Sequence, residues 1–203
     1  VEPKVKPIAT SDFRYRAVGT IYNDAIPIFL TEEVLDQVID YSEQDQSREI
    51  GGFLIGDLHK DKRQYVEIRH FLPAAYTESR AASLTFTHES WSAARTEIEK
   101  RFPDDRIVGW HHTHPKFGIF LSEYDKFIHR HYFSQPWEVA LVVDPCANEL
   151  GFFQWRAGEI ANAVLFVFLK IDDVHSLLSL VPRLSTIKMS DETLFIDDDD
   201  RYS

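Results

Sequence analysis

The stretch Arg106-Ile-Val-Gly-Trp-His-His-Thr-His-Pro-Lys-Phe-Gly-Ile-Phe-Leu-Ser-Glu-Tyr-Asp125 decides how this chain is read. Its first nine residues form an apolar run ending in histidines, which predicts a buried β-strand. Successive strand side chains point to opposite faces, so His112 and His114 share one face and His111 takes the other. Residues Pro115 to Leu121 follow as a loop long enough to reverse the chain. Ser122-Glu-Tyr-Asp125 then has the pattern of a capping box with Asp in place of Glu, and opens a helix expected to end near Phe133.

Outward from this stretch, helical and strand patterns alternate. Thr31 is an N-cap type, and Val34, Leu35, Val38 and Ile39 recur at helical spacing until the polar run Ser42 to Arg48. Glu49 to Gly56 and Gln64 to Leu72 read as the arms of a β-hairpin joined by the polar segment Asp57 to Arg63. Pro73 to Ser83 reads as a loop. A second helix is expected from Thr87 to Phe102, with Pro103 as its stop. Beyond Phe133, strands are expected at Trp137 to Asp144, at Leu150 to Arg156 and at Val164 to Ile171. The alternation, with its hairpin returns, predicts an α/β protein of mixed, α+β-like type rather than a doubly wound parallel one.

Composition bounds the remaining possibilities. The chain has 203 residues, 44% of them hydrophobic, which is enough for one domain with a sizeable core. Residues 1–25 read as an extended N-terminal arm, 26–189 as the domain, and 190–203 as an acidic, flexible tail holding Asp191, Glu192 and Asp197 to Asp200. With 22 basic against 33 acidic side chains, the net charge of −11 argues against nucleic acid or an anionic membrane as partner. A neutral or basic partner is expected instead. The lone Cys146 excludes an internal disulfide and no apolar run reaches membrane-helix length, so a cytoplasmic location is expected.

Five of the nine histidines lie between positions 111 and 131. His112 and His114 on one strand face can hold a divalent cation, and a zinc ion that does chemistry needs a third protein ligand and an open position. Asp125, in the first turn of the next helix, can supply that ligand. Glu49, followed by Gly51 and Gly52, can act as general base if its strand neighbours the histidine strand. Ser122 can donate a hydrogen bond to a developing oxyanion. Each residue also has a plainer reading: helix capping for Ser122 and Asp125, packing for His-x-His, a solvated strand end for Glu49. Trp110 shares a face with His112 and is expected to be core or to border the site. Phe117 and Phe120 are candidates to line a groove for an extended peptide. His129 and His131 are candidate outer partners of the cluster, and Cys146 lacks an evident base.

Glu49, then Gly-Trp-His-His-Thr-His-Pro115, then Ser122-Glu-Tyr-Asp125 after seven loop residues, resembles the JAMM signature of the JAB/MPN metalloprotease family. Glu49-Ile-Gly-Gly-Phe-Leu-Ile-Gly56 also fits that family's pattern, with Gly51 extra to it. The segment Ser83-Leu-Thr-Phe-Thr-His-Glu-Ser-Trp91 is similar to stand-alone bacterial members, some of them encoded beside ubiquitin-like and conjugating proteins. The resemblance covers roughly residues 26 to 170 and implies a curved mixed β-sheet flanked by helices, a cytidine-deaminase-like architecture. It implies one Zn²⁺ per chain held by His112, His114 and Asp125, with Glu49 activating water and Ser122 stabilising the oxyanion. It further implies cleavage after the C-terminal glycine of ubiquitin or a ubiquitin-like modifier, with such proteins, their conjugates or their conjugation-pathway proteins as partners. Two alternatives stand beside it: a zinc amidase or peptidase acting on a small molecule or free peptide, and a non-catalytic modifier-binding module.

Overall fold

The computed structural model describes residues 1–6, 13–18, 25–61, 63–80, 83–163 and 165–170. The acidic tail expected at 190–203 lies outside them. In chain order the elements are β1 (Lys4–Val5), β2 (Phe13–Val18), β3 (Ile28–Thr31), α1 (Glu32–Ser42), β4 (Gly51–Lys60), β5 (Gln64–Pro73), β6 (Thr77–Arg80) and β7 (Ser83–Phe86). There follow α2 (His88–Arg101), β8 (Arg106–Thr113), α3 (Glu123–Tyr132), β9 (Val139–Asp144), β10 (Glu149–Arg156), β11 (Glu159–Ala163) and β12 (Leu165–Lys170). One mixed sheet runs β11-β10-β9-β8-β4-β5-β3-β12-β2, with β1 paired to β4, and β6 and β7 form a separate hairpin.

The helices sit on the two faces of this sheet. α1 buries Val34, Leu35, Val38 and Ile39 in the same cluster as Leu54, Leu58, Val66, Ile68 and Val108. Each such side chain, taken fully out of water, contributes about 1.5–3 kcal/mol, which is what holds a helix of this length in place. On the opposite face α3 packs Ile128 with Trp110, Leu121, Phe133, Ala140 and Val142, while α2 sets Ala94 and Ile98 against Phe53 and Ile55. The mixed α/β architecture with helices on both faces is the one expected from the sequence.

Strand β8 threads between these two cores and changes phase on the way. Leu54 pairs with Gly109 but Ile55 pairs with Ile107, so Val108 is one residue more than β4 can match. Such a bulge moves every later side chain to the other face. Ile107 and Trp110 consequently both lie on the α2/α3 face, whereas Val108 belongs to the α1 core. β5 repeats the device: Ile55 pairs with His70 and Gly56 with Ile68, skipping Arg69.

Four readings of the sequence are corrected. Pro73 to Ser83 is not only loop, because Thr77–Arg80 pairs with Ser83–Phe86 as the β6–β7 hairpin. The polar segment Asp57 to Arg63 is not all turn: β4 continues to Lys60, pairing there with Gln64. Asp57 tolerates full burial because Lys4 Nζ lies 2.5 Å and Arg106 Nε 2.7 Å from its oxygens. Burial alone would raise its carboxyl, but Lys4, the Leu58 backbone N–H and Arg106 together hold it below the usual range. Residues 1–25 are not a bare arm either, since β1 joins β4 and β2 pairs with β12. Finally, β11 pairs with β10 where no strand was expected. Among the described residues no helix is long and apolar enough to cross a membrane.

Candidate metal centre

The sheet register brings Glu49 to the end of β8. Thr113 N donates to the Ile50 carbonyl at 2.9 Å, and Ile50 N donates to the Thr113 side chain at Oγ1, 3.0 Å away. Gly51 is required next to them: a Cβ there would lie 2.2 Å from the His111 carbonyl oxygen and 2.4 Å from Leu84 Cδ2. Any side chain would prise β4 from β8 and carry Glu49 away from the histidines. Ser79 of the β6–β7 hairpin donates to the Glu49 carbonyl, pinning the segment from a third side.

Alternation along β8 places His111 and His112 in different environments. His111 packs against Tyr41 and Phe71 in the α1 core, and its Nε2 lies 2.9 Å from Ser42 Oγ. The Ser42 hydroxyl hydrogen goes to the Val38 carbonyl, so Nε2 of His111 is assigned as the donor. Burial, aided by His112, pushes the His111 pKa down to about 3.

His112 and His114 face the other way with their Nε2 atoms 3.0 Å apart. Asp125 completes a triangle, with Oδ1 3.4 Å from His112 Nε2 and Oδ2 3.5 Å from His114 Nε2. All three residues are buried, and together they form the one group among the described residues with metal-binding spacing. In a tetrahedral zinc site with bonds of about 2.0–2.2 Å, neighbouring donors stand about 3.3 Å apart. The observed spacings of 3.0, 3.4 and 3.5 Å bracket that edge. Two imidazole nitrogens and a carboxylate are also donors that zinc accepts. The residues present therefore fit a zinc ion.

The electrostatics are those of donors kept apart from water. Burial holds the His112 imidazole below its ordinary pKa, so its Nε2 lone pair stays available. Burial acts on His114 in the same sense, but Asp125 and Glu49 outweigh it and raise its pKa. Asp125 would likewise be raised by burial, yet His112, His114 and Ser122 hold its carboxyl well below the usual carboxylate range. Glu49 Oε1 lies 3.7 Å from His114 Nε2, and its buried Oε2 has no hydrogen-bond partner. Burial pushes the Glu49 carboxyl up to about 7, partly offset by His114.

Ser122 is the N-cap of α3. Its Oγ accepts from Asp125 N at 3.2 Å while Asp125 Oδ2 accepts from Ser122 N at 2.7 Å, which realises the capping box. Capping and metal-facing placement turn out not to compete, because Asp125 Oδ1 remains directed at His112.

The outlying candidates divide. Trp110 is fully buried and stacks on His112 with centroids 4.5 Å apart. It borders the cluster from the core side and offers no surface to a substrate. Phe117 and Phe120 are exposed, and Phe120 leans on the His114 ring at 4.6 Å. His131 is on the surface, bonded to the Phe127 carbonyl, and Cys146 contacts Gln46.

His129 is buried and its Nδ1 accepts from Trp110 Nε1 at 3.1 Å, so it supports the Trp110 ring that lies under His112. Burial lowers its pKa to about 4, below the unfolded value of about 6.5. The unfolded chain then binds the extra proton between those limits, so stability present above about pH 6.5 is lost as pH falls toward 4. The contribution is about 1.4 kcal/mol per pH unit for one proton. Unfolding free energies of the metal-free chain across that window should fall one proton less steeply for His129→Gln. Equal slopes would refute this assignment.

Sequence reasoning missed Thr113, Ser79 and the Asp144 carboxylate, whose turn-forming setting in Asp144-Pro-Cys-Ala-Asn148 was visible but whose long-range contacts were not.

Comparisons with known proteins bear on the family and the fold. Over 100 residues the chain is 31% identical to COP9 signalosome complex subunit 5 of Caenorhabditis elegans, covering 48% of this chain and 26% of that protein. It is 26% identical over 148 residues to the Candida albicans subunit of the same name, covering 70% of this chain and 24% of that protein. The alignments thus span about a quarter of the length of these relatives. Among solved structures, the solution structure of protein DSY2949 from Desulfitobacterium hafniense superposes with a TM-score of 0.56 at 18% identity, covering 73% of this chain and 97% of that one. It supports the fold. A family profile described as JAB1/Mov34/MPN/PAD-1 ubiquitin protease matches residues 27–135, more than half of the chain, and with that match this chain belongs to the JAB/MPN family.

Proposed function

We propose that the chain is a zinc-dependent isopeptidase that hydrolyses the bond after the C-terminal glycine of ubiquitin or a ubiquitin-like modifier. The observation that carries this reading is the convergence of His112, His114 and Asp125 on one point, with the Glu49 carboxylate beside it, its Oε2 without a hydrogen-bond partner. A zinc ion held by these three residues would supply Lewis acidity and lower the pKa of water toward neutrality.

The protein's own groups do the rest. Glu49, with a carboxyl poised near 7, accepts the proton of the attacking water and returns it to the leaving lysine amine. Its unpaired Oε2 is the acceptor available for that proton. Ser122 Oγ already accepts from Asp125 N, which leaves its hydroxyl hydrogen free to meet the oxygen that gains charge as the carbonyl is attacked. Exposed Phe117 and Phe120 offer apolar contact to the extended glycine-ended segment. Conjugates of a ubiquitin-like protein are the expected partners, together with proteins of its conjugation pathway.

Zinc analysis of the purified chain, paired with cleavage of ubiquitin-like modifier fusions, tests the proposal. Zinc with cleavage supports it. Activity on short glycyl amides lacking any modifier would point to a small-molecule or peptide amidase, and modifier binding without turnover to a binding module.

Ser122 separates capping from chemistry. Ser122→Ala should slow cleavage about 100–1000-fold and cost about 1 kcal/mol of stability through the lost cap. Ser122→Asp should restore the cap and not the rate. Recovery of turnover in the Asp variant would remove Ser122 from the chemistry.

A further inference from the structure

Asp144, at the end of β9, is a buried carboxylate with four backbone N–H groups aimed at it. Oδ1 accepts from Lys116 N at 3.0 Å, Cys146 N at 2.9 Å and Ala147 N at 3.2 Å, while Oδ2 accepts from Gly118 N at 2.9 Å. The two oxygens therefore serve different segments. Oδ1 secures its own turn and the start of the loop after β8; Oδ2 holds Gly118 alone.

The Gly118 attachment leads to the cluster. Gly118 adopts φ +80°, which a glycine accepts freely, and its carbonyl oxygen lies 3.3 Å from His114 Nδ1. A carbonyl only accepts, so Nδ1 of His114 carries the hydrogen and Nε2 is left with its lone pair toward His112 and Asp125. His114 is fixed at its backbone too, by His114 N to Val143 O at 2.8 Å, one residue before Asp144.

We infer that Asp144 is a positioning residue for His114: by holding the Gly118 amide it fixes the carbonyl that sets the tautomer and ring orientation of a metal ligand. This rests on the metal-binding reading above. A group in direct contact with a ligand, here the Gly118 carbonyl that Asp144 holds in place, typically accounts for 10–100-fold in metal affinity. A purely structural Asp144 would set only the stability of the loop.

Asp144→Asn distinguishes the two. Its amide oxygen can keep the three-donor side, whereas an NH₂ group would replace Oδ2 and face the Gly118 N–H, donor against donor. Zinc affinity, read by competition with a chromophoric chelator, should fall 10–100-fold in a variant that still folds, and the visible spectrum of the Co²⁺-substituted form should change. Unchanged affinity and spectrum in a folded variant would overturn the inference, even if the melting temperature drops. The second measurement uses the unaltered chain without metal: ¹⁵N-detected NMR at a pH that keeps imidazoles neutral should find the hydrogen of His114 on Nδ1. Finding it on Nε2 would overturn the inference if Asp144→Asn cannot be folded. Failure of the unaltered chain to bind either metal would instead refute the metal-binding reading, while the NMR result would still decide the His114 tautomer.

Discussion

Glu49→Gln should bind zinc as the parent does and cleave modifier fusions about 100 to 10,000-fold more slowly, the range expected when a positioned general base is lost. Glutamine keeps the size of the side chain and removes the proton acceptor. Glu49 stands 3.7 Å from His114 rather than within the His112, His114, Asp125 triangle, which is why metal content should survive. The carboxyl is also buried and raised to about 7, so an amide there removes a charge that the site holds at a cost. The measurement is turnover beside zinc stoichiometry on the same preparation. Parent-like turnover with full zinc would exclude Glu49 as the base, and loss of zinc would recast it as a ligand.

Asp125→Asn should do the reverse and empty the site. The change removes the one formal negative charge among the three ligands, so zinc affinity should fall by more than the 10–100-fold typical of outer partners, and turnover should fall with it. Helix α3 gives an internal control, because the asparagine oxygen can still accept from Ser122 N and preserve the cap that Asp125 Oδ2 now makes. Circular dichroism of the chelated variant should match that of the chelated parent. Retained zinc in a folded Asp125→Asn chain would remove Asp125 from the ligand set.

The parts of the fold legible in the sequence were those with a strong period. Val34, Leu35, Val38 and Ile39 wrote α1 directly, and the apolar run into His111 and His112 wrote β8. The hidden parts were held by partners distant in sequence. β6 and β7 bury little beyond Leu84, and the Ser79 contact to Glu49 and the Thr85 contact to Tyr124 fix them against other elements. Asp57 reads as a turn residue until Lys4 and Arg106 are seen on either side of it. The site was more legible than the fold around it, since two residues apart on a strand and three apart at a helix start are short-range geometries. That Ile50 abuts Thr113, and so brings Glu49 to His114, depends on register, which local patterns do not encode.

The extra residue at Val108 makes β8 behave like text with a reading frame. Between that bulge and the strand end, only parity decides whether position 111 or position 112 looks toward α3. Single substitutions along this stretch alter one letter, and loss of the unpaired Val108 would leave the pairings beyond it as they are. A residue gained or lost between Gly109 and His111 without a compensating bulge would instead exchange the two histidines, sending His112 toward Ser42 and His111 toward Asp125. The chemistry is thereby tied to a count, and lineages carrying this site should vary here in composition while holding length constant.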